Sequence, residues 1–338
     1  MPGILSYTLE DYQQSARTYR SDLLRLPILA LSRILAHMTL RPGVRYEEVV
    51  GQTDLDIELQ PYVRDARQNK NLELGLRILK TYFGTVNNDF DPNANISTLL
   101  GHRASLASGS DLASTPQAHE ILAMTPKAIG KKLLLALFKA KRNPAGTRTL
   151  DLFDGFDTII DQEKADGNIS AEKGNYLKLS VKPDKLNSVE IWSEILDHIS
   201  PELREEETEV FCAQSIVDNY NRAYKLETGN TAYNKEYNQT CVEGTNDMMR
   251  FCPTAAKIGS KYITISVKEN MLVGVDQLSD QESVKIGNYS PDTLTVMMRM
   301  FFGCQYESID NRRLFIVELP SDDDIKQPAQ NPESDPNA

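Results

Sequence analysis

The sequence is poor in the residue types that most catalytic and redox sites need. Its 338 residues include only four cysteines and four histidines. The cysteines contain no CxxC pair, which argues against a zinc site or a redox motif, so we expect buried free thiols. They are Cys212, Cys241, Cys252 and Cys304. The histidines, which have no Cys, Ser or Asp at a diagnostic spacing, are His37, His102, His119 and His198.

Familiar catalytic motifs and long apolar runs are also missing. There is no P-loop, no GxGxxG after a strand, no HExxH and no GxSxG. No apolar run approaches the roughly 20 residues that span a bilayer, and the N-terminus does not read as a secretory signal. We therefore expect a chain that folds in a cytosol, does not meet a membrane, needs no cofactor and is not an enzyme.

Positive charge is in the minority. The 48 acidic and 37 basic side chains give a net charge of −11, and 40% of the residues are hydrophobic. This composition is typical of a globular chain. It argues against a protein that binds nucleic acid over its whole surface. Local basic surfaces are still compatible with it.

The clearest basic surface is a predicted helix that starts at Thr125, as N-cap, and Pro126 and ends at Asn143-Pro144. Apolar residues at helical spacing predict one buried face, and lysines fill most of the rest. Those singled out as candidates for facing DNA are Lys131, Lys132 and Lys139. Two interpretations stay open, because cations that could neutralise phosphates also keep an amphipathic helix soluble.

The tract from Leu150 to Asp161 is too apolar for a solvated loop and must enter the core, with a turn at Gly155. Aspartates recur in it at helical spacing, at Asp151, Asp154, Asp157 and Asp161. These carboxylates would suit a metal site of a cytosolic enzyme. The favoured interpretation is that they form the solvated side of the element, and no metal is predicted.

Other segments give a mixed pattern. An amphipathic helical arm runs from Thr8 to about residue 40, and alternation over residues 44–63 predicts a hairpin. Residues 72–86 read as a strand or a short helix. A helix capped by Asn187 and two strands meeting near Glu269 follow, and residues 321–338 form an acidic tail. The arm's apolar stripe lies either on its own subunit or on a neighbour.

Four stretches carry a family resemblance. They are LRPGVRYEEVVG with DIELQPY, then KAIGKKLLLALFKAKRN, LDLFDGFDTIIDQEKADGNISAEKGN and EVFCAQSIVDNYNRAY. In this order they resemble the major capsid proteins of tailed bacteriophages, of Hong Kong 97 type, and most of all those of Bacteroidetes phages and prophages. The resemblance implies an α+β fold with an N-terminal arm, an extended β-hairpin loop, a peripheral domain with a long spine helix, and an axial domain.

The resemblance also implies a division of the chain. Its segments are a helical arm (1–40), an extended hairpin loop (41–104), a peripheral domain with the spine helix (105–149), an axial domain (150–285), return strands of the peripheral domain (286–320) and the tail (321–338). The arm and the loop would lie on neighbouring subunits. The residues expected at that interface are Leu9, Tyr12, Tyr19, Leu23, Val44, Tyr46, Ile57 and Leu59.

The implied function is a virion protein that self-assembles into hexamers and pentamers of an icosahedral shell around phage double-stranded DNA. The implied partners are copies of itself, a portal, decoration proteins and weakly held DNA, with assembly in the bacterial host cytoplasm. Because the sequence begins at the arm, we expect a separate scaffolding protein or a processed chain. The alternatives are a protein nanocompartment of the same fold and the metal-dependent enzyme at Asp151–Asp161.

Overall fold

The computed structural model describes residues 20–54, 73–90, 116–228, 240–276, 284–290 and 293–320. It separates into two compact units, each assembled from two stretches of chain. The first unit combines Met1–Phe156 with Leu272–Gln305, and the second combines Asp157–Met271 with Tyr306–Ala338. Within the described part of the chain, none of the helices has the length and apolar character needed to cross a membrane.

Helices and strands alternate irregularly along the chain. The helices are α1 Arg20–Leu35, α2 Pro116–Lys139, α3 Phe156–Ala165, α4 Ser188–His198, α5 Pro201–Glu205 and α6 Gln214–Thr228. The strands are β1 Thr39–Pro42, β2 Glu47–Asp54, β3 Glu73–Lys80, β4 Tyr82–Phe90, β5 Tyr176–Lys178, β6 Thr208–Cys212, β7 Met249–Pro253, β8 Tyr262–Val267, β9 Met271–Asp276, β10 Val284–Ser290, β11 Thr293–Tyr306 and β12 Leu314–Glu318.

The first unit is built on a five-stranded sheet and a pair of helices. The sheet has the order β1-β9-β11-β10, with β4 also paired to β11, and β2 and β3 form a separate two-stranded sheet. Helix α1 packs on α2 at Gly130, where a Cβ would lie 2.5 Å from the Cβ of Ala30 and 2.6 Å from the carbonyl oxygen of Pro27. Only glycine allows the two helices to approach this closely.

The second unit has its own five-stranded sheet, in the order β5-β12-β8-β6-β7. The helices α4 and α6 contribute Trp192 and Tyr220 to its core, where both rings pack against Phe251 of β7 at centroid distances of 5.1 and 5.2 Å. Every residue of β8 is buried. A buried apolar sheet with aromatic side chains from helices is therefore the main source of stability in this unit.

Several predictions from the sequence are confirmed. The four cysteines are buried free thiols. Helix α4 lies where its apolar pattern placed it, with Ile191, Trp192, Ile195 and Leu196 buried. The tract after residue 150 does enter the core, because Phe153, Phe156, Ile159 and Ile160 are all buried.

Other predictions are wrong in detail. Helix α2 begins at Pro116, so Pro126 lies inside the helix and Thr125 does not cap it. Strand β2 pairs with β3, not with a strand inside residues 44–63. Two strands do meet near Glu269, as predicted, but β8 and β9 belong to different sheets. Asn187 gives α4 no side-chain cap, because its carboxamide oxygen accepts from the backbone N–H of Asp184. Propensity located these elements, and long-range pairing decided their ends and partners.

Candidate subunit interface

The hairpin of β2 and β3 has one face buried in its own unit. Eight residue pairs join the strands in antiparallel register, from Glu47 with Lys80 to Asp54 with Glu73. Val50 and Leu79 point to one side and pack with Val44 and Leu272 in a small apolar cluster. Leu79 is fully buried and Val50 is 6% exposed, so this face is held by ordinary core packing.

The opposite face of the hairpin is apolar and exposed. Val49 and Ile78 are direct cross-strand partners, and Leu76 lies on the same side two residues before Ile78. Their exposed fractions are 65%, 42% and 64%. Side chains two apart on paired strands share one surface, so these three form a single patch, which we call the exposed hairpin face.

The base of the hairpin is fixed by hydrogen bonds. The backbone N–H of Thr81 donates to the carbonyl oxygen of Tyr46 at 2.7 Å, and the Thr81 hydroxyl donates to Val44 at 3.1 Å. Arg45 forms an ion pair with Asp276. Tyr46 holds a positive φ of 69°, a conformation that costs a non-glycine residue about 1 kcal/mol or more. The exposed hairpin face is therefore presented by a constrained support.

Aromatic side chains lie beside this base. The ring of Tyr46, 67% exposed, packs edge-on against Phe301 at 5.1 Å. Phe83, 50% exposed, also packs against the Phe301 ring, at a centroid distance of 4.9 Å. Because exposed aromatic side chains are enriched in protein contacts, this cluster extends the surface available to a partner.

The predicted interface residues differ in exposure. Tyr46 is exposed as an interface residue should be, whereas Val44 is 5% exposed and packs in its own unit, which removes its side chain from the predicted interface. Leu9, Tyr12, Tyr19, Ile57 and Leu59 lie outside the described residues, as does the side chain of Leu23. From Pro27 onward helix α1 packs on α2 of its own unit.

Sequence reasoning missed Val49, Leu76 and Ile78. The pattern at Val49-Val50 does not reveal which valine faces inward, and residues 74–80 were compatible with helix or strand. The signal that could have found them is cross-strand register, because pairing of β2 with β3 places the three on one side.

The candidate metal site is not assembled. Asp151 and Asp154 belong to the first unit and Asp157 and Asp161 to the second. Among the described residues, the four carboxylates form no group of three that could reach one ion.

The two aspartates of the first unit bind neighbouring backbone and side chains. Asp151 accepts from the backbone and guanidinium of Arg148, and these hydrogen bonds hold the pKa of Asp151 below its ordinary value. Asp154 accepts from the backbone N–H of Arg142 at 2.9 Å. Both carboxylates therefore serve the turn that follows α2.

The two aspartates of the second unit hold side chains of its core and surface. Asp157 accepts from the Lys257 ammonium and the Ser260 hydroxyl, both at 2.6 Å, and Asp161 accepts from Tyr262 at 2.7 Å. Asp157 is only 8% exposed, so the interpretation of all four aspartates as a solvated side is wrong for it.

The Cys212 thiol is unsuited to nucleophilic chemistry. Burial, together with a smaller effect of the neighbouring Cys252, raises the pKa of Cys212 to about 12. A thiol with such a pKa is almost entirely protonated at neutral pH and is a poor nucleophile.

The basic residues singled out in the sequence lie on one helix. Lys131, Lys132 and Lys139 are exposed side chains of α2. The helix lies in the first unit, as the hairpin does.

Comparison with solved structures defines the class of fold. No protein-family model and no curated protein sequence matches the chain. The structure has the α+β fold of Hong Kong 97 type capsid proteins, as the sequence resemblance implied. In particular, it is similar to a chain of the satellite phage P4 procapsid that includes the size determination protein, with a TM-score of 0.53 and 11% identity over 87% of this chain and 98% of that chain.

Two further similar structures have TM-scores below 0.5. A chain from Gordonia phage Cozz aligns at 0.49, with 11% identity over 86% of this chain and 87% of that chain. The holo-SrpI encapsulin complex from Synechococcus elongatus PCC 7942 aligns at 0.48, with 11% identity over 85% of this chain and 86% of that chain.

Proposed function

We propose that this chain is the major capsid protein of a tailed phage, assembling as hexamers and pentamers into an icosahedral shell around double-stranded DNA. The observation that carries the proposal is the exposed hairpin face on a capsid fold. Val49, Leu76 and Ile78 stay in water in the single subunit, although hydrogen bonds and an ion pair hold the base of their hairpin. A contiguous apolar surface of this kind is typical of a protein contact.

The energy of such a contact suits a reversible assembly. Complete burial of one Val, Leu or Ile side chain stabilises by about 1.5–3 kcal/mol, and these three are already partly covered. Each hairpin would then contribute about 3–5 kcal/mol. A weak contact repeated between many identical subunits can hold a closed shell while still allowing misplaced subunits to leave.

The proposal includes the parts that the family resemblance implies. The partners would be copies of this chain, a separate scaffolding protein, a portal and decoration proteins, in a virion assembled in the bacterial cytoplasm. The interface would combine the exposed hairpin face and Tyr46 with Leu9, Tyr12, Tyr19, Leu23, Ile57 and Leu59. The six predicted segments, from arm to acidic tail, are retained as proposed domain boundaries.

The test replaces the apolar surface while keeping the strands. In Val49→Thr, Leu76→Gln, Ile78→Thr the threonines retain β propensity, so we expect a folded subunit that no longer forms shells in electron micrographs. The matched control exchanges the cross-strand pair, Val49→Ile with Ile78→Val, which conserves apolar volume and should assemble. Normal shells from the triple variant would contradict the role of this face.

Purified wild-type particles test the rest of the proposal. Shells that contain nuclease-protected DNA after phage growth would support the capsid function. Shells that contain one co-purifying enzyme and no DNA would assign the chain to a protein nanocompartment instead. A wild-type chain that remains monomeric with and without its neighbouring phage proteins would overturn both.

A further inference from the structure

A second surface of the first unit carries charge that its own fold does not use. In helix α2 the exposed side chains include Lys127, Lys131 and Lys132, which we call the lysine face. On the buried side of the same helix, Gly130 packs on α1 and Leu133 is 1% exposed. The lysine face therefore points to solvent.

Among the described residues, no carboxylate forms an ion pair with these lysines. The sequence has no Asp or Glu from Ile121 through Leu150. Within the described part of the chain, the side chains of Lys127, Lys131 and Lys132 have neither a hydrogen bond nor an ion pair. Lys80 of the same unit, by contrast, is paired with Glu47 at 3.4 Å. In a chain of net charge −11, this uncompensated cluster is unusual.

Helix stability does not explain the arrangement. Cations at the C-terminal end of a helix are favoured by its dipole, which accounts for Lys139 and Lys141. Lys127, Lys131 and Lys132 lie in the middle of α2, where that effect is absent. Lys127 and Lys131 are four residues apart, and like charges at this spacing destabilise a helix. The charge is retained against the helix's own preference, which indicates a use outside the subunit.

We propose that the lysine face binds the phosphate backbone of nucleic acid without sequence preference. The choice of nucleic acid as partner rests on the proposed shell function. Its composition supports this choice, because lysine side chains are common donors to phosphate, whereas the centre of a protein contact is depleted of charged residues. Ala128 is the small side chain at the middle of the lysine face, and the exposed apolar residues Met124 and Leu135 flank it.

The binding should be weak for one subunit and strongly salt-dependent. Three phosphate contacts predict a slope of about −2.7 in a plot of log binding constant against log salt concentration. Affinity should then fall about 40-fold between about 50 mM and about 200 mM salt. Many copies lining one shell would bind the DNA together, so a low affinity of each subunit is compatible with DNA that must remain mobile.

The test uses the full-length unassembled chain and a fluorescent DNA duplex of random sequence. In Lys127→Gln, Lys131→Gln, Lys132→Gln the helix propensity is unchanged. We expect binding at least tenfold weaker at low salt and a slope close to zero, because the three contacts that give the slope of about −2.7 are removed. A control that removes the same charge from the second unit, Lys173→Gln, Lys182→Gln, Lys185→Gln, should bind as the wild type does.

Two further measurements distinguish DNA from an acidic protein as the partner. They also show whether a loss of binding results from misfolding. Lysine acetylation of the wild-type chain, read by mass spectrometry, should be suppressed by DNA at Lys127, Lys131 and Lys132 but not at Lys185. Equal loss of binding in both triple variants, or no protection of the lysine face, would overturn the proposal. Tighter binding of polyglutamate than of DNA of equal charge would assign the lysine face to an acidic protein.

Electron microscopy separates this inference from the proposed function. If the lysine-face variant forms shells of normal size but holds less DNA, both proposals are supported. DNA binding by a wild-type chain that never forms shells would leave the lysine face supported and contradict the shell. Shells whose subunits show no salt-dependent DNA binding would support the proposed shell and contradict DNA binding by the lysine face.

Discussion

The sheet of the second unit and the hairpin of the first unit are both rich in apolar residues. These residues are buried in the sheet, whereas one face of the hairpin leaves them exposed. In the sheet, β8 is buried along its whole length, and the neighbouring ion pair of Lys257 and Asp157 is only 0% and 11% exposed. In the hairpin, Val50 and Leu79 are buried on one face, and Val49, Leu76 and Ile78 on the other face remain exposed. One region completes its core within the subunit, and the other leaves apolar surface for something else.

This contrast separates the residues that fold the subunit from those that we propose assemble it. Substitutions in the sheet should change the free energy of unfolding. Substitutions on the exposed hairpin face should change association and leave the subunit folded. The predictions below test this separation, beginning with the largest expected change in stability.

The largest effect should come from the buried ion pair. The Lys257 ammonium is fully buried and donates to Asp157, to the carbonyl oxygen of Tyr262 and to Thr264. Lys257→Met leaves the Asp157 carboxylate without its buried counter-charge, which should lower the free energy of unfolding by about 3–5 kcal/mol. Denaturant unfolding followed by the fluorescence of Trp192, the single tryptophan, reports on this unit directly.

A double variant provides the control for this prediction. In Asp157→Leu with Lys257→Met neither charge remains, and apolar replacement of a buried ion pair is often neutral. We expect it to recover most of the lost stability. If Lys257→Met unfolds at the wild-type denaturant concentration, the second unit does not depend on this contact.

The hairpin offers the second prediction, because its two faces can be compared within one strand. Leu79→Ala removes a fully buried side chain from a small cluster and should cost about 2–3 kcal/mol. Hydrogen exchange of peptides from β2 and β3 should then be at least about 30-fold faster, a factor that corresponds to the lower limit of that cost.

Leu76→Ala is the matched control, since the same chemical change falls on the exposed face. It should leave hydrogen exchange in the unassembled chain unchanged. Equal acceleration in both variants would show that the exposed hairpin face contributes to folding, and the contrast between the two faces would be lost.

The sequence predicted well where short-range patterns decide the outcome. The apolar spacing of α4 and the density of apolar residues after Leu150 both led to the right burial, although Leu150 itself is 37% exposed. It failed where distant chain segments decide. Neither the pairing of β2 with β3 nor the separation of β8 and β9 into two sheets follows from local alternation.

The candidate site illustrates the same limit. Tyr46 could be named from its position in a predicted loop, but Val44, two residues earlier, could not be recognised as buried. Its exposure depends on Leu272, more than two hundred residues away in the sequence. Similarly, Asp157 could not be distinguished from Asp154 as a buried ion-pair partner without knowing where Lys257 lies.

The smallest expected effect concerns a partly exposed charge network at the edge of the second sheet. Tyr176 and Lys164 both donate to the carboxylate of Glu318, and the Lys164 ammonium also donates to the Tyr176 hydroxyl at 2.8 Å. Burial alone would raise the pKa of Glu318, but the hydrogen bonds from Lys164 and Tyr176 outweigh it and hold that pKa below its ordinary value of 4.5.

A lowered carboxyl pKa stabilises the folded state above the unfolded-state pKa, and this stability is lost as the pH falls through the folded-state pKa. The wild type should therefore lose stability below about pH 4.5, and Glu318→Gln should remove that part of the loss. Solvent screening limits the effect to about 1 kcal/mol or less.

Unfolding midpoints of both chains, measured by Trp192 fluorescence at neutral and acidic pH, give the comparison. Glu202→Gln is the control, since Glu202 is 70% exposed and its distance to Arg312 is 3.7 Å. If the stability of the wild type and of Glu318→Gln depends on pH in the same way, this network does not stabilise the second unit, unlike the buried pair of Lys257 and Asp157.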